Sequence, residues 1–146
     1  MIVSGSKHST KVRPPHGANL PFSAANGRDS SSNPSYYVFN NCDIAAAPGS
    51  SVPNGAFYLG RPWRNYSRVV FQRTSMSAVI NPAGWSVWNK NASQTEHVSY
   101  TEYANTGAGA SGSRASFASK LSGPVAITDI LGKSYASQAW YDASYM

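Results

Sequence analysis

Apolar positions in this chain come in short bursts rather than along helical stripes. Three segments share one look: Tyr37-Val-Phe-Asn-Asn-Cys-Asp-Ile44, Val69-Val-Phe-Gln-Arg-Thr-Ser-Met76 and Val98-Ser-Tyr-Thr-Glu-Tyr103. Each opens on β-branched and aromatic residues and passes into polar ones, which predicts strands. Aligning Phe39, Phe71 and Tyr100 gives spacings of 32 and 29 residues, suited to stacked coils with loop insertions. An antiparallel sandwich produces similar runs, so the repeat alone leaves both architectures open. No sustained 3.6-residue period competes with it. Loops dense in Ser, Asn, Gly and Pro are expected over 26–34 and 46–55, and short helical pieces at Arg114–Leu121 and Ser137–Tyr141. Residues 1–20, with Pro14, Pro15 and Gly17, read as a basic, polar leader; residues 21–146 read as one domain.

Composition narrows the class. Eighteen aromatic residues, among them four Trp and nine Tyr, argue for a folded, partly aromatic-lined body rather than disorder. Charged residues make up 12%, low against a usual share of about a quarter, and uncharged polar residues take their place. A formal charge of +6 and a pI near 9.6 favour an anionic partner. Nucleic acid fits that sign, but Lys and Arg are scattered and no nucleic-acid motif occurs, so it is not expected as a partner. Cys42 stands alone, which excludes an intrachain disulfide, and its strand-like setting predicts a buried thiol. No apolar run approaches a membrane span, and Met1 to Leu20 holds no hydrophobic signal core. His8, His16 and His97 lack metal-ligand spacing and read as surface residues; neither metal nor cofactor is expected.

The stretch Tyr58-Leu-Gly-Arg-Pro-Trp-Arg64 carries the chemistry. Proline fixes its own φ and biases the preceding residue to extended geometry, so Arg61 and Trp63, two apart, should share one face. A planar cation beside a flat aromatic suits a carboxylated sugar: the guanidinium pairs with the carboxylate and the indole stacks on the ring.

The words around it agree in order. Tyr58 through Phe71 is followed by Thr74-Ser-Met76, Ile80-Asn-Pro-Ala-Gly-Trp85-Ser-Val-Trp88 and Tyr100-Thr-Glu-Tyr103-Ala-Asn105-Thr-Gly107, and preceded by Ala25-Asn-Gly-Arg28 and Tyr36-Tyr-Val-Phe39. Over residues 20–146 the chain resembles the C-terminal part of a pectin methylesterase of the fungal type. The resemblance implies an all-β fold, a right-handed parallel β-helix, here a truncated stack of coils with short C-terminal helices. It implies a secreted carboxylic ester hydrolase that demethylates homogalacturonan, the pectin backbone, to galacturonate and methanol. Two aspartates, a nucleophile and a general acid–base, would do the chemistry, a glutamine would stabilise the oxyanion, and the arginine matching Arg61 would hold the nucleophile. Arg61, Trp63 and Trp85 are the substrate-binding residues so implied, whereas Trp88 reads as structural.

The family's aspartate words do not occur here. The carboxylates are Asp29, Asp43, Glu96, Glu102, Asp129 and Asp142, and none has that context. Asp43 is a substitute in type only, on a segment that in the family lies beyond the catalytic strands. The chain is therefore expected to be inactive alone, with its secretion signal in a preceding segment. A non-catalytic pectin-binding module and a nonfunctional gene fragment are the alternatives. An open coil end would expose unpaired backbone, which predicts self-association there. Asn65-Tyr-Ser67 and Asn91-Ala-Ser93 are glycosylation sequons; Asn91 is favoured because Asn65 adjoins the proposed site.

Overall fold

The computed structural model describes residues 2–4, 9–12 and 22–143, with side chains from Ala24 onward. His8, His16 and much of the segment read as a leader lie outside the described residues. Among the described residues ten strands form three parallel sheets. In chain order they are β1 (Ile2–Ser4), β2 (Ser9–Val12), β3 (Phe22–Ala24), β4 (Tyr37–Asn40), β5 (Asp43–Ala46), β6 (Tyr58–Gly60), β7 (Arg68–Gln72), β8 (Ser75–Met76), β9 (Ser99–Tyr103) and β10 (Ala118–Lys120). The first sheet runs β1-β4-β7-β9-β10, the second β2-β5-β8, and the third β3-β6. The bridge of Gly60 to Trp85 extends the third sheet by one coil. The chain thus visits the three sheets in turn and returns one rung higher, a right-handed parallel β-helix.

The interior is a set of like-on-like ladders. Phe39 and Phe71 are register partners whose rings stack at 4.4 Å and 7°. Ile44 pairs with Met76 in the second sheet, and both are buried. Leu59, Phe57, Ile80 and Trp85 fill the same core from the third side. Stacking like on like lets every coil bury its apolar face against the next. Cys42 is buried, as its setting predicts.

One register expectation is corrected. Phe71 lies opposite Glu102, and Tyr100 lies opposite Val69, so the third strand is offset by two from the alignment on Phe39, Phe71 and Tyr100. A slip of two preserves which face each side chain takes, so apolar pattern alone does not detect it.

Tight corners link the first sheet to the second. Asn41, Arg73 and Ala104 each take the left-handed conformation, with φ of 54°, 51° and 49°. They sit one coil apart and continue the ladder: the Asn41 amide donates to Gln72 O (3.1 Å) and the Arg73 amide to Tyr103 O (2.8 Å). Asn105 fastens two corners, donating to Phe71 O (3.0 Å) and accepting from the Thr74 amide (3.0 Å).

The helical expectations move. Arg114–Leu121 is not helical; Ala118–Lys120 pairs with β9 instead. Eight residues make a marginal helix, and an open sheet edge offers a full set of ladder bonds. The C-terminal helical pieces are α1 (Ile127–Leu131) and a single 3-10 turn at Tyr135–Ser137, short of the expected Ser137–Tyr141. Ahead of α1, Gln72 and Val125 exchange two hydrogen bonds of 3.1 and 2.9 Å, pinning this segment to the outer face of the first sheet. No helix among the described residues is long and apolar enough to cross a membrane.

Candidate functional site

The site forms where the chain leaves the third sheet. Beyond Gly60 the backbone stays extended: the Arg61 amide donates to Ala24 O (3.1 Å) and the Trp63 amide to Asn26 O (3.2 Å). Pro62 is buried, whereas Arg61 is half-buried and Trp63 exposed, so the two flanking side chains lie to the outside of the proline. Trp63 is 55% exposed, unusual for so large an apolar ring.

The third member comes from the next coil. Trp85 pairs with Gly60, and the Ser86 amide donates to Gly60 O (3.1 Å), so the segment after Trp85 runs beside Arg61. It delivers Trp88, whose ring lies 4.4 Å beneath the Arg61 guanidinium carbon. Trp63 and Trp88 are nearly parallel, 13° apart with centroids 6.4 Å apart. A cation on one indole face next to a second parallel indole makes a platform that can receive a flat-sided, negatively charged ring.

Trp85 is not part of that platform. It is 1% exposed, stacks on Tyr100 at 4.3 Å, meets Phe71 edge-on at 5.8 Å, and donates from Nε1 to Glu102 Oε1 (3.2 Å). The expectation that Trp85 flanks a cleft and Trp88 is structural is thus reversed in placement. The signal was available: residues three apart on extended chain face opposite ways, so one of the two had to point outward.

Glu102 occupies an interior position that holds aromatics in the coils below. It is neutralised by a two-pronged pair with Arg114, Nε to Oε1 at 2.9 Å and Nη2 to Oε2 at 3.0 Å. Asn105 Nδ2 donates to the same carboxylate at 3.3 Å. The group is structural: it fastens Trp85, and hence the base of the segment that carries Trp88.

The floor beneath Trp63 is Gly27. A Cβ there would sit 3.4 Å from Trp63 Cε3, so the bare backbone seats the indole. Buried Asn26 holds this loop, its Oδ1 accepting from the Arg28 (3.3 Å) and Arg68 (3.1 Å) amides. The Arg28 side chain, also buried, donates to three carbonyls: Asn33 (2.6 Å), Tyr66 (3.0 Å) and Ser31. Burial, and secondly the neighbouring Arg68 cation, lower the Arg28 pKa.

Asp43, the carboxylate nearest in type to a nucleophile, is exposed on β5 in the second sheet, whereas Arg61 leaves the third. Among the described residues no group of three or more His, Cys, Asp or Glu side chains converges to hold a metal.

Comparison with known proteins agrees with this architecture. A family model described as pectinesterase matches residues 7–126. The chain is 55% identical over 121 residues to a pectinesterase of Aspergillus aculeatus, covering 83% of this chain and 36% of that protein. It is 45% identical over 139 residues to a pectinesterase of Aspergillus niger, covering 95% and 41%. Among solved structures it is similar to the deglycosylated Aspergillus niger pectin methylesterase (TM-score 0.73, 38% identity, 85% of this chain and 39% of that one). It is also similar to the pectin methylesterase from carrot (TM-score 0.72, 30% identity, 88% and 44%). The chain spans about two fifths of the length of these relatives.

Proposed function

The chain belongs to the pectinesterase family, and we propose that it is the C-terminal part of an esterase domain acting on pectin outside the cell, with Ile2–Ser4 and Ser9–Val12 already in its coils. The observation that carries this reading is the Arg61 guanidinium lying on Trp88, with Trp63 parallel beside it, at the mouth of the third sheet. Arg61 offers a fixed charge to a carboxylate and the indoles offer flat faces to the sugar ring. The +6 net charge favours an approaching polyanion.

In the whole reaction a carboxylate attacks the methyl ester carbonyl, methanol leaves with a proton from a general acid, and water releases the acyl group. Arg61 would keep the attacking carboxylate ionised and aimed. The family's aspartate and glutamine words are not in this sequence. We assign to this chain the cation and aromatic part of the site: binding without turnover when it acts alone. That makes it, in isolation, a pectin-binding module.

The test is a pair of measurements on the purified chain. Tryptophan emission should be quenched by unesterified oligogalacturonate, with affinity that weakens as salt rises. Trp63→Ala should weaken the binding by about tenfold, the scale of one lost stacking contact. Fully esterified pectin should yield no methanol. Methanol release would overturn the assignment of inactivity; unchanged binding in Trp63→Ala and Arg61→Ala would remove the site.

A further inference from the structure

The two glycosylation sequons have unlike settings, and from them we propose that Asn91 carries an N-linked oligosaccharide while Asn65 does not. The proposal rests on the reading above that the chain is exported.

Asn91 stands at the tip of a tight turn. The Trp88 amide donates to Ser93 O (3.1 Å) and the Asn89 amide to Ala92 O (3.3 Å), closing the loop at its base. Asn89 Oδ1 accepts from the amides of Asn91 (2.9 Å) and Ala92 (2.8 Å), fixing the tip from within. Asn91, Ala92 and Ser93 are all exposed. The Asn91 side-chain amide makes no hydrogen bond to the described residues, so a glycan on Nδ2 displaces nothing.

Asn65 is held between coils. It is half-buried, its Nδ2 donates to Glu96 Oε2 at 3.5 Å, and its carbonyl accepts from the His97 amide at 3.2 Å. The third residue of that sequon, Ser67, is fully buried, and its hydroxyl, with a single proton to give, faces the carbonyls of both Asn26 and Arg64. A sugar on Asn65 would take one of the two Nδ2 protons and place its bulk beside Glu96 of the following coil. Since the oligosaccharide is added before the coils close, a chain modified there would have to fold with that bulk held against its half-buried asparagine.

The transfer needs a lipid-linked oligosaccharyl diphosphate as donor. The bond from the sugar's anomeric carbon to the diphosphate oxygen breaks, a bond from that carbon to Asn91 Nδ2 forms, and one amide proton is lost as the lipid diphosphate departs. The glycan then rises from the loop whose base is Trp88.

The experiment expresses the full chain behind a supplied secretion signal in a fungal host. Glycopeptides are mapped by mass spectrometry in both medium and lysate, after enzymatic deglycosylation in heavy-oxygen water to mark each occupied asparagine. The expected result is one glycan per secreted chain, at Asn91, lost in Asn91→Gln and retained in Asn65→Gln. An unmodified Asn91, or Asn65 occupied in the secreted material, overturns the proposal. Because the signal is supplied, these outcomes test the site itself. Whether the natural chain is exported is read separately, from its presence in the medium of its own source.

Discussion

Replacing Arg114 by methionine keeps most of the side-chain bulk and removes the only cation paired with Glu102 among the described residues. Both side chains are about nine-tenths buried, at 11% and 8% exposure. Breaking one partner of such a pair costs about 3–5 kcal/mol, because the remaining charge stays in a poorly solvated site. The two halves of the pair are not equivalent. Without Arg114 the carboxylate keeps only Trp85 Nε1 and Asn105 Nδ2 as donors. In Glu102→Gln, by contrast, the guanidinium keeps the carbonyls of Pro82, Ser111 and Gly109. That substitution should therefore cost less, about 1.5–3 kcal/mol. Urea unfolding followed by tryptophan emission is the natural assay, since Trp85 stacks on Tyr100 inside this network. With a urea slope of about 2 kcal/mol per molar, Arg114→Met should lower the midpoint by about 1.5–2.5 M. The double variant should lose less than the sum of the singles, since the pair acts as a unit. An Arg114→Met midpoint within about 0.5 M of the parent, at unchanged slope, would refute the clamp.

Three further outcomes follow from single positions. Tyr100 is buried and among the described residues its hydroxyl makes no hydrogen bond of good geometry, the Ser67 hydroxyl being its polar neighbour, so Tyr100→Phe should stabilise the chain by about 1 kcal/mol in the same urea assay. Burial also pushes the Tyr100 phenol well above its usual range; a raised folded-state pKa gives stability that is full below the unfolded value of about 10 and lost as pH rises beyond it, so the variant should also flatten the alkaline loss of midpoint. Ala104 sits at φ 49° with no side-chain compensation of its own, so Ala104→Gly should raise the midpoint by the equivalent of about 0.5–1 kcal/mol, relieving left-handed strain at some entropic cost. Gly27→Leu should leave the urea midpoint near the parent's while weakening oligogalacturonate binding, because the new side chain displaces the Trp63 indole from its seat; equal binding in that variant would show that the seat does not matter.

What the sequence discloses here depends on whether a residue's partner is one coil away or out of sight. Phe39 and Phe71 are legible because the same residue type recurs at the repeat length, and the stack places like on like. Glu102 is not, because a carboxylate at an interior position reads as a surface residue until its cation is known, and Arg114 lies twelve residues on in an irregular segment. Pro62 flanked by Arg61 and Trp63 announces its geometry through proline alone, and the backbone bonds to Ala24 and Asn26 follow. Trp85 and Trp88 both follow the same Pro-Ala-Gly turn, so the sequence does not say which ring is buried. Only the pairing of Trp85 with Gly60 decides which of them turns inward. The left-handed corners at Arg73 and Ala104 carry no glycine or asparagine, so nothing in the sequence marks them.

Gly60 joins the fold to the site. A Cβ at this position would lie 2.8 Å from Ala24 O, 3.2 Å from Trp85 Cζ3 and 3.4 Å from Ala24 Cβ. The first is backbone of the neighbouring rung and cannot swing aside; the second is an indole already confined by Tyr100, Phe71 and Glu102. Gly60→Ala must therefore spread the third sheet at the rung from which Arg61 departs. Overpacking of this kind costs about 1–3 kcal/mol. The same displacement shifts Arg61 relative to Trp88, since the Ser86 amide hangs from Gly60 O and sets the approach of the Trp88 segment. Stability and oligogalacturonate affinity should fall together in Gly60→Ala, unlike Gly27→Leu, where only affinity moves. The urea midpoint and the fluorescence titration, read on the same two samples, separate the cases. A Gly60→Ala protein with a lowered midpoint and full affinity would mean that the platform does not depend on the rung beneath it.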